Sequence, residues 1–68
     1  MSPEEMSFRN LVEWDRQALL RVLNGEFASD VFTETHHRYL VKMRVLARIP
    51  KLNRTLPTLG AMKLLGVS

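Results

Sequence analysis

The side chains best able to do chemistry in this chain are the basic residues of its second half. All seven acidic residues lie at or before Glu34, whereas seven of the ten Lys and Arg residues follow it. Residues 1–34 therefore carry a formal charge of −4, residues 35–68 carry +7, and together they give the net +3. Charge segregated in this way predicts one end of the molecule that meets a negatively charged partner.

Eight basic side chains in the second half make up the candidate binding set. They are His37, Arg38, Lys42, Arg44, Arg48, Lys51, Arg54 and Lys63. Arginine grips phosphate through paired hydrogen bonds, and each neutralised phosphate adds an affinity that salt weakens. The set predicts capture of a nucleic-acid backbone, and reversing the charges of Arg44 and Arg48 should then remove about two phosphate contacts.

Two other interpretations use the same residues. The basic side chains could be solvated on helix faces, or their positive charge could balance the negative charge of the acidic half of the same domain. They could instead meet an acidic protein surface, with exposed aromatic side chains as anchors. The aromatic candidates are Trp14, Phe27, Phe32 and Tyr39.

Residues suited to catalysis or metal binding are few. His36 and His37 are the two histidines, and because neighbours on a helix point about 100° apart, they cannot share one metal ion. We expect His36 to pack inside with a satisfied ring nitrogen and His37 to be solvated. Cys is absent, the serines and threonines suit caps and loops, and the three glycines are too far apart for a phosphate-binding loop. The sequence predicts a protein that is not an enzyme and uses no metal or other cofactor.

Length and composition set further limits. Sixty-eight residues make one domain, residues 1–68, and a domain of this size buries only about 60% of the surface of its unfolded chain. The absence of Cys fits a reducing compartment. The acidic start, Ser2–Glu5, is unlike a secretion signal or presequence, and no run approaches the ~18 apolar residues of a membrane span. We expect a cytoplasmic protein.

The secondary-structure elements that position these basic side chains are predicted to be helices. Ser2–Glu5 has the pattern of a helix start, with an N-cap serine and proline in the first turn. Apolar residues then recur at helical spacing as far as Asn24-Gly25, which predicts a helix end. Asp15 falls within the apolar face, so either an Arg or His reaches it, or the helix breaks at Trp14 and Asp15 caps a second helical piece. The break is favoured.

A second helix is predicted to begin after Thr33 or Thr35 and to run to Ile49, since Pro50 cannot continue it. Apolar stripes on two of its sides indicate a central position between the other helices. Residues 26–32 are predicted to form a loop, with a short strand as the alternative. Residues 50–57 are predicted to form a linker, followed by a short helix from Thr58 to Leu65.

The end of the chain resembles part of a known DNA-binding unit. Residues 57–68 read Pro-Thr-Leu-Gly-Ala-Met-Lys-Leu-Leu-Gly-Val-Ser, which is similar to the first helix and turn of a helix-turn-helix unit. The segment departs from that pattern at Met62, where a small residue is expected, and it ends where the recognition helix would start. The same residues also fit a helix closed by a Schellman motif at Gly66 and Val67.

These patterns together predict a compact all-α bundle of three or four short helices that acts by binding. The predicted function is a small regulator of transcription that binds nucleic acid through its basic face. The alternative is a protein-binding regulator or inhibitor that docks on a larger machine such as RNA polymerase. Neither the oligomeric state nor sequence specificity follows from the residues.

Overall fold

In the computed structural model, the backbone of residues 3–67 and the side chains of residues 7–67 are described. Four helices come first, an antiparallel hairpin follows, and a last helix closes the chain. The elements are α1 (Pro3–Trp14), α2 (Arg16–Leu23), α3 (Ala28–Val31), α4 (Glu34–Lys42), β1 (Leu46–Ile49), a 3₁₀ turn (Pro50–Leu52), β2 (Arg54–Pro57) and α5 (Leu59–Leu65).

The two strands make the fold mixed α/β, so the prediction of an all-α bundle of three or four helices is wrong. β1 and β2 pair antiparallel, with Leu46 opposite Pro57 and Ile49 opposite Arg54. Residues 46–49 were predicted to be the last turn of a long helix, and residues 50–57 a linker. The hairpin takes the place of both.

The long helix fails to form because the chain turns at Arg44. This residue has a φ of 63°, in the left-handed region. The Arg44 N–H donates to the Val41 carbonyl at 3.1 Å, and the Val45 N–H donates to the Leu40 carbonyl at 2.9 Å. These two bonds are those of a Schellman motif, which closes a helix. Glycine usually marks this position, and here an arginine occupies it.

The hairpin turn is built from residues whose backbones suit it. Pro50 begins the 3₁₀ turn, and Asn53 closes it with a left-handed φ of 51°. Asparagine tolerates that conformation better than most residues. The β-branched side chains of Ile49 and Thr55 favour extended backbone on either side of the turn.

The predicted ends of the first helical segment are confirmed. α1 begins at Pro3, whereas the capping side chains of Ser2 and Glu5 lie outside the described part of the molecule. The helix breaks after Trp14, although Leu19 N–H still bonds to the Asp15 carbonyl at 2.8 Å. α2 ends at Asn24 and Gly25, whose φ is 113°.

Two shorter segments differ in how well the sequence predicted them. Residues 28–31 form the helix α3 rather than a loop or a strand. α5 covers Leu59–Leu65 with Thr58 as its N-cap, close to the predicted range from Thr58 to Leu65, and ends at Gly66 in the left-handed region. The Val67 N–H donates to the Met62 carbonyl at 3.0 Å, which confirms the expected Schellman motif.

One hydrophobic core joins all five helices and the first strand. Leu40 of α4 is fully buried within it, as predicted, but α4 packs mainly against β1 and α3 and does not lie between the first and last helices, since α1 packs on α5. The buried core residues are Val12, Leu19, Val22, Ala28, Phe32, Leu40, Val45, Leu46, Ala61 and Leu65. Within residues 3–67, no helix combines the length and the apolarity needed to cross a membrane.

Candidate functional site

The outer face of α4 is a stripe of four exposed polar side chains. We use this name for Thr35, Arg38, Tyr39 and Lys42. Their spacing of three, four and seven residues places them on one side of a helix. The opposite side of α4 points inward, with Leu40 fully buried. The core therefore fixes which residues α4 presents to solvent.

The inward side of α4 also holds His36, which pairs with the carboxylate at the helix break. His36 Nε2 lies 2.8 Å from Asp15 Oδ2, and the Asp15 side chain is only 12% exposed. The predicted satisfied ring nitrogen of His36 is confirmed, whereas its side chain is 35% exposed and not packed in the core as predicted. The helix breaks beside Asp15 and a histidine reaches its carboxylate, but the Asp15 side chain forms no capping hydrogen bond to α2.

One acidic residue lies next to the outer face of α4. Glu34 Oε1 accepts a hydrogen bond from Arg38 Nη2 at 2.7 Å, and both side chains are more than 70% exposed. An ion pair this exposed contributes about 0–1 kcal/mol. Arg38 can therefore exchange Glu34 for another anion at small cost.

The hairpin and α3 enclose a second basic feature, which we call the hairpin cleft. Its volume is about 420 Å³. It is lined by Phe27, Ala28, Ser29, His37, Arg48, Ile49, Pro50, Asn53, Arg54 and Thr55. Three of the predicted binding residues, His37, Arg48 and Arg54, thus meet in one concave surface. Folding of the hairpin brings them together, because only His37 belongs to a helix.

Arg54 is largely engaged within the fold. Its Nη2 donates to the carbonyls of Gly25 at 2.9 Å and Glu26 at 3.1 Å. Its guanidinium carbon lies 4.8 Å from the centre of the Phe27 ring, a cation–π contact. Arg54 therefore fastens β2 to the connection between α2 and α3.

A larger concave surface, the apolar groove, lies between α1, the end of α4, the hairpin and α5. Its volume is about 1520 Å³. It is lined by Phe8, Arg9, Lys42, Met43, Arg44, Ala47, Ile49, Leu56, Pro57, Thr58, Leu59, Gly60, Met62, Lys63 and Leu64. Most of these residues are apolar, and none of them is acidic.

The hairpin separates most of the cleft lining from the groove lining, and Ile49 borders both. Ala47 and its partner Leu56 line the groove, whereas Arg48 and its partner Thr55 line the cleft. This division follows from the alternation of side chains along a strand. A helix over residues 44–49, as the sequence predicts, would not produce it.

The eight predicted binding residues therefore occupy different surfaces. His37, Arg48 and Arg54 line the cleft, Lys51 is exposed on the hairpin turn, Arg38 and Lys42 lie on the outer face of α4, and Lys42, Arg44 and Lys63 line the groove. The sequence did not indicate Arg9, a groove residue from the acidic half of the chain. It joins the groove because α1 packs on α5, where a Cβ at Gly60 would lie 3.5 Å from the Phe8 ring.

Among the side chains that the structure describes, most basic residues of the second half form no ion pair with a carboxylate. Among the side chains of residues 7–67, carboxylates pair with Arg16, Arg21, His36 and Arg38. Two of these four pairs lie wholly within the first half of the chain. The described acidic side chains therefore do not neutralise Lys42, Arg44, Arg48, Lys51 or Lys63.

The aromatic candidates for a protein interface differ in exposure. Trp14 is 86% exposed, Phe27 53% and Tyr39 45%, whereas Phe32 is only 8% exposed. Phe32 is thus a core residue, not an anchor for a partner. No group of three or more potential metal ligands occurs among the described residues.

Comparison of the chain with models of known protein families, with curated protein sequences and with solved structures gave no significant match.

Proposed function

We propose that the protein is a small regulator that binds duplex DNA, with α4 as the helix that enters the major groove. The outer face of α4 carries this proposal. It combines two cations, a hydroxyl and a tyrosine on one exposed stripe. These are side chains that contact phosphates and base edges in protein–DNA complexes.

The elements around α4 support this role. α3 and α4 are joined by two residues, Phe32 and Thr33, and Phe32 is buried. Two helices joined by a two-residue connection, with the second one presented to solvent, resemble a helix-turn-helix unit, whose usual turn is three or four residues long. An α-helix with its side chains is about 10–12 Å across, which suits the major groove, about 12 Å wide.

The hairpin supplies cations on one side of α4. Arg48 is exposed at the cleft and Lys51 is exposed on the turn. Neither pairs with a carboxylate among the side chains of residues 7–67, so both are available to phosphates. We assign them backbone contacts, which position a protein on DNA without reading its sequence. We also propose a cytoplasmic location, which the absence of Cys supports.

Salt-dependent binding to a labelled mixed-sequence duplex, followed by fluorescence anisotropy, tests the proposal. We expect log affinity to fall linearly with log salt, at about −0.9 per neutralised phosphate. The double variant Arg38→Gln/Lys42→Gln should flatten the slope by about two contacts. Glu34→Gln should raise affinity up to about fivefold, because it releases Arg38 and removes a negative charge.

A matched double variant provides the control. Arg9→Gln/Lys63→Gln removes the same charge from the apolar groove and should leave the slope nearly unchanged. Equal effects of both double variants would mean that only net charge matters and that α4 has no special role. Absence of binding to duplex and single-stranded DNA at low salt, where electrostatic affinity is strongest, would refute the proposal. The alternative of a protein-binding regulator would then take its place.

A further inference from the structure

We infer that the apolar groove is a docking site for an amphipathic helix of a partner protein, with acidic residues flanking its apolar stripe. This site is separate from the proposed DNA-binding face, although Lys42 borders both. The inference does not depend on DNA binding. It rests on the composition of the groove and on two residues that lower the stability of the free fold.

The floor of the groove is apolar and open. Leu59 is 75% exposed, and Met43, Met62 and Leu64 are only partly buried. Methionine adapts its shape to different apolar surfaces and is frequent in grooves that bind helices. An amphipathic helix presents apolar residues at i, i+3, i+4 and i+7, which is a stripe suited to such a floor.

The basic side chains at the rim of the groove favour a partner helix of negative charge. Arg9, Lys42, Arg44 and Lys63 contribute four cations, and among the side chains of residues 7–67 none that lines the groove is acidic. Carboxylates beside the apolar stripe of a partner helix would face these cations. A basic helix would instead meet repulsion, so charge complementarity favours an acidic partner.

Arg44 occupies a position that costs the free fold stability. Its left-handed backbone, with a φ of 63°, is unfavourable for a residue with a Cβ and easy for glycine. Its side chain is exposed, with no carboxylate partner among the described side chains. Strain retained at an exposed residue points to a function for its side chain. We assign that function to the rim of the groove.

Gly60 is the second such position. It lies within α5, where glycine is less favourable than alanine. A Cβ at Gly60 would make only ordinary contacts with the Phe8 ring, at 3.5 and 3.7 Å. Packing therefore does not require glycine here. The absence of a side chain leaves the groove floor open to close approach by a partner.

The two sides of the groove are held together by hydrogen bonds. Thr58 Oγ1 donates to the Arg44 carbonyl at 2.8 Å, and the Thr58 N–H donates to the Val45 carbonyl at 3.0 Å. The end of α4 is thus bonded to the residue that caps α5. A groove formed before binding avoids part of the ordering cost of association.

A synthetic peptide tests the inference. The probe is a fluorescein-labelled helical peptide with leucine at i, i+3, i+4 and i+7 and glutamate on the flanking positions, added to the full chain. We expect saturable binding and NMR shifts confined to groove residues. Arg9→Gln/Lys63→Gln should weaken binding about threefold to tenfold, and Leu59→Ala about fivefold. Arg44→Gly and Gly60→Ala should also weaken binding while stabilising the free protein.

Matched controls separate docking from general effects. Arg48→Gln/Lys51→Gln removes the same charge outside the groove, and Leu52→Ala truncates a leucine that is 58% exposed outside it. Neither should change peptide affinity. The same peptide with lysine in place of glutamate should bind at least about tenfold more weakly.

Several results would overturn the inference. These are no peptide binding, equal binding of the lysine peptide, equal weakening by the control double variant, or shifts outside the groove. Dimerisation of the free chain that Leu59→Ala abolishes, without peptide binding, would assign the groove to a second copy instead. If Arg9→Gln/Lys63→Gln weakens duplex binding but not peptide binding, the groove belongs to the DNA-binding surface. Loss of DNA binding alone would leave the inference standing.

Discussion

Arg21 and Glu26 lie on either side of the C-cap of α2, and their side chains form an ion pair across the helix end, which we call the clamp. The Gly25 N–H donates to the Val22 carbonyl and the Glu26 N–H to the Arg21 carbonyl, both at 3.1 Å, which makes another Schellman motif. An apolar contact usually joins the two outer residues of this motif. Here Arg21 Nε and Nη2 donate to the two Glu26 carboxylate oxygens at 2.8 and 2.7 Å.

This clamp predicts a measurable change in the titration of Glu26. Hydrogen bonding from Arg21 lowers the pKa of Glu26 below its ordinary value, and the same bonds raise the pKa of Arg21. Because the folded pKa of Glu26 is depressed, its contribution to stability is present above the unfolded pKa and is lost as pH falls through the folded pKa. The variant Arg21→Gln should move the pKa of Glu26 back toward its ordinary value.

Side-chain carboxyl shifts of Glu26, followed by NMR against pH, measure this effect. Arg16→Gln is the control, because Arg16 bonds to Glu13 and to the Leu65 carbonyl but not to Glu26. It should leave the titration of Glu26 unchanged. An unchanged Glu26 titration in Arg21→Gln would contradict the clamp.

At the scale of elements, three helices end in the same motif with different residues. α2 and α5 end at Gly25 and Gly66, with left-handed φ angles of 113° and 79°. α4 ends at Arg44, where Leu40 and Val45, joined by the hydrogen bond from the Val45 N–H to the Leu40 carbonyl, are both fully buried. Burial of this apolar pair offsets the strain at Arg44 and determines where α4 stops.

Replacing Arg44 by glycine should therefore stabilise the protein. Relief of the left-handed backbone favours the variant by about 1–2 kcal/mol, and the greater freedom of glycine in the unfolded chain returns part of that gain. We expect a net increase of about 0.5–1 kcal/mol in the free energy of unfolding, measured by urea denaturation. Arg44→Ala is the control, since it removes the charge and keeps the Cβ, and should bring no such gain.

The helix end at Arg44 also shows which helix ends could be predicted from the sequence and which could not. The start of α1 and the ends of α2 and α5 carry proline or glycine signals, and the sequence predicted all three. The end of α4 carries an arginine, and its stabilising contact joins buried Leu40 and Val45, which no local pattern shows. The hairpin was missed for that reason.

The sequence predicted the candidate site only as a set of basic residues. Their division between the cleft and the groove depends on the alternation of Ala47 and Arg48 along β1, and the predicted helix lacked that alternation. Arg9 was missed because it lies in the acidic half of the chain and reaches the groove through the packing of α1 on α5. The sequence thus identified which residues are basic, and the tertiary structure determined how those residues are divided between the surfaces.

At the scale of the molecule, one core supports every proposed surface. The outer face of α4, the cleft and the groove are held by helices and strands that share the same buried cluster. At about 0.05–0.15 kcal/mol per residue, a chain of 68 residues has a stability of about 3–10 kcal/mol. A loss of a few kcal/mol in the core should therefore abolish all three surfaces together.

Leu40 is the residue at which this coupling can be tested. It is fully buried on the helix that carries the outer face, so Leu40→Ala removes buried apolar surface and leaves a cavity. We expect a loss of about 2–5 kcal/mol in the free energy of unfolding, a large fraction of the total. Circular dichroism during thermal or urea unfolding measures it. Leu52→Ala makes the same chemical change at a leucine that is 58% exposed, and should melt close to the parent protein. If Leu40→Ala also melts within a degree or two of the parent, α4 is not central to the core and the surfaces built on it are not coupled.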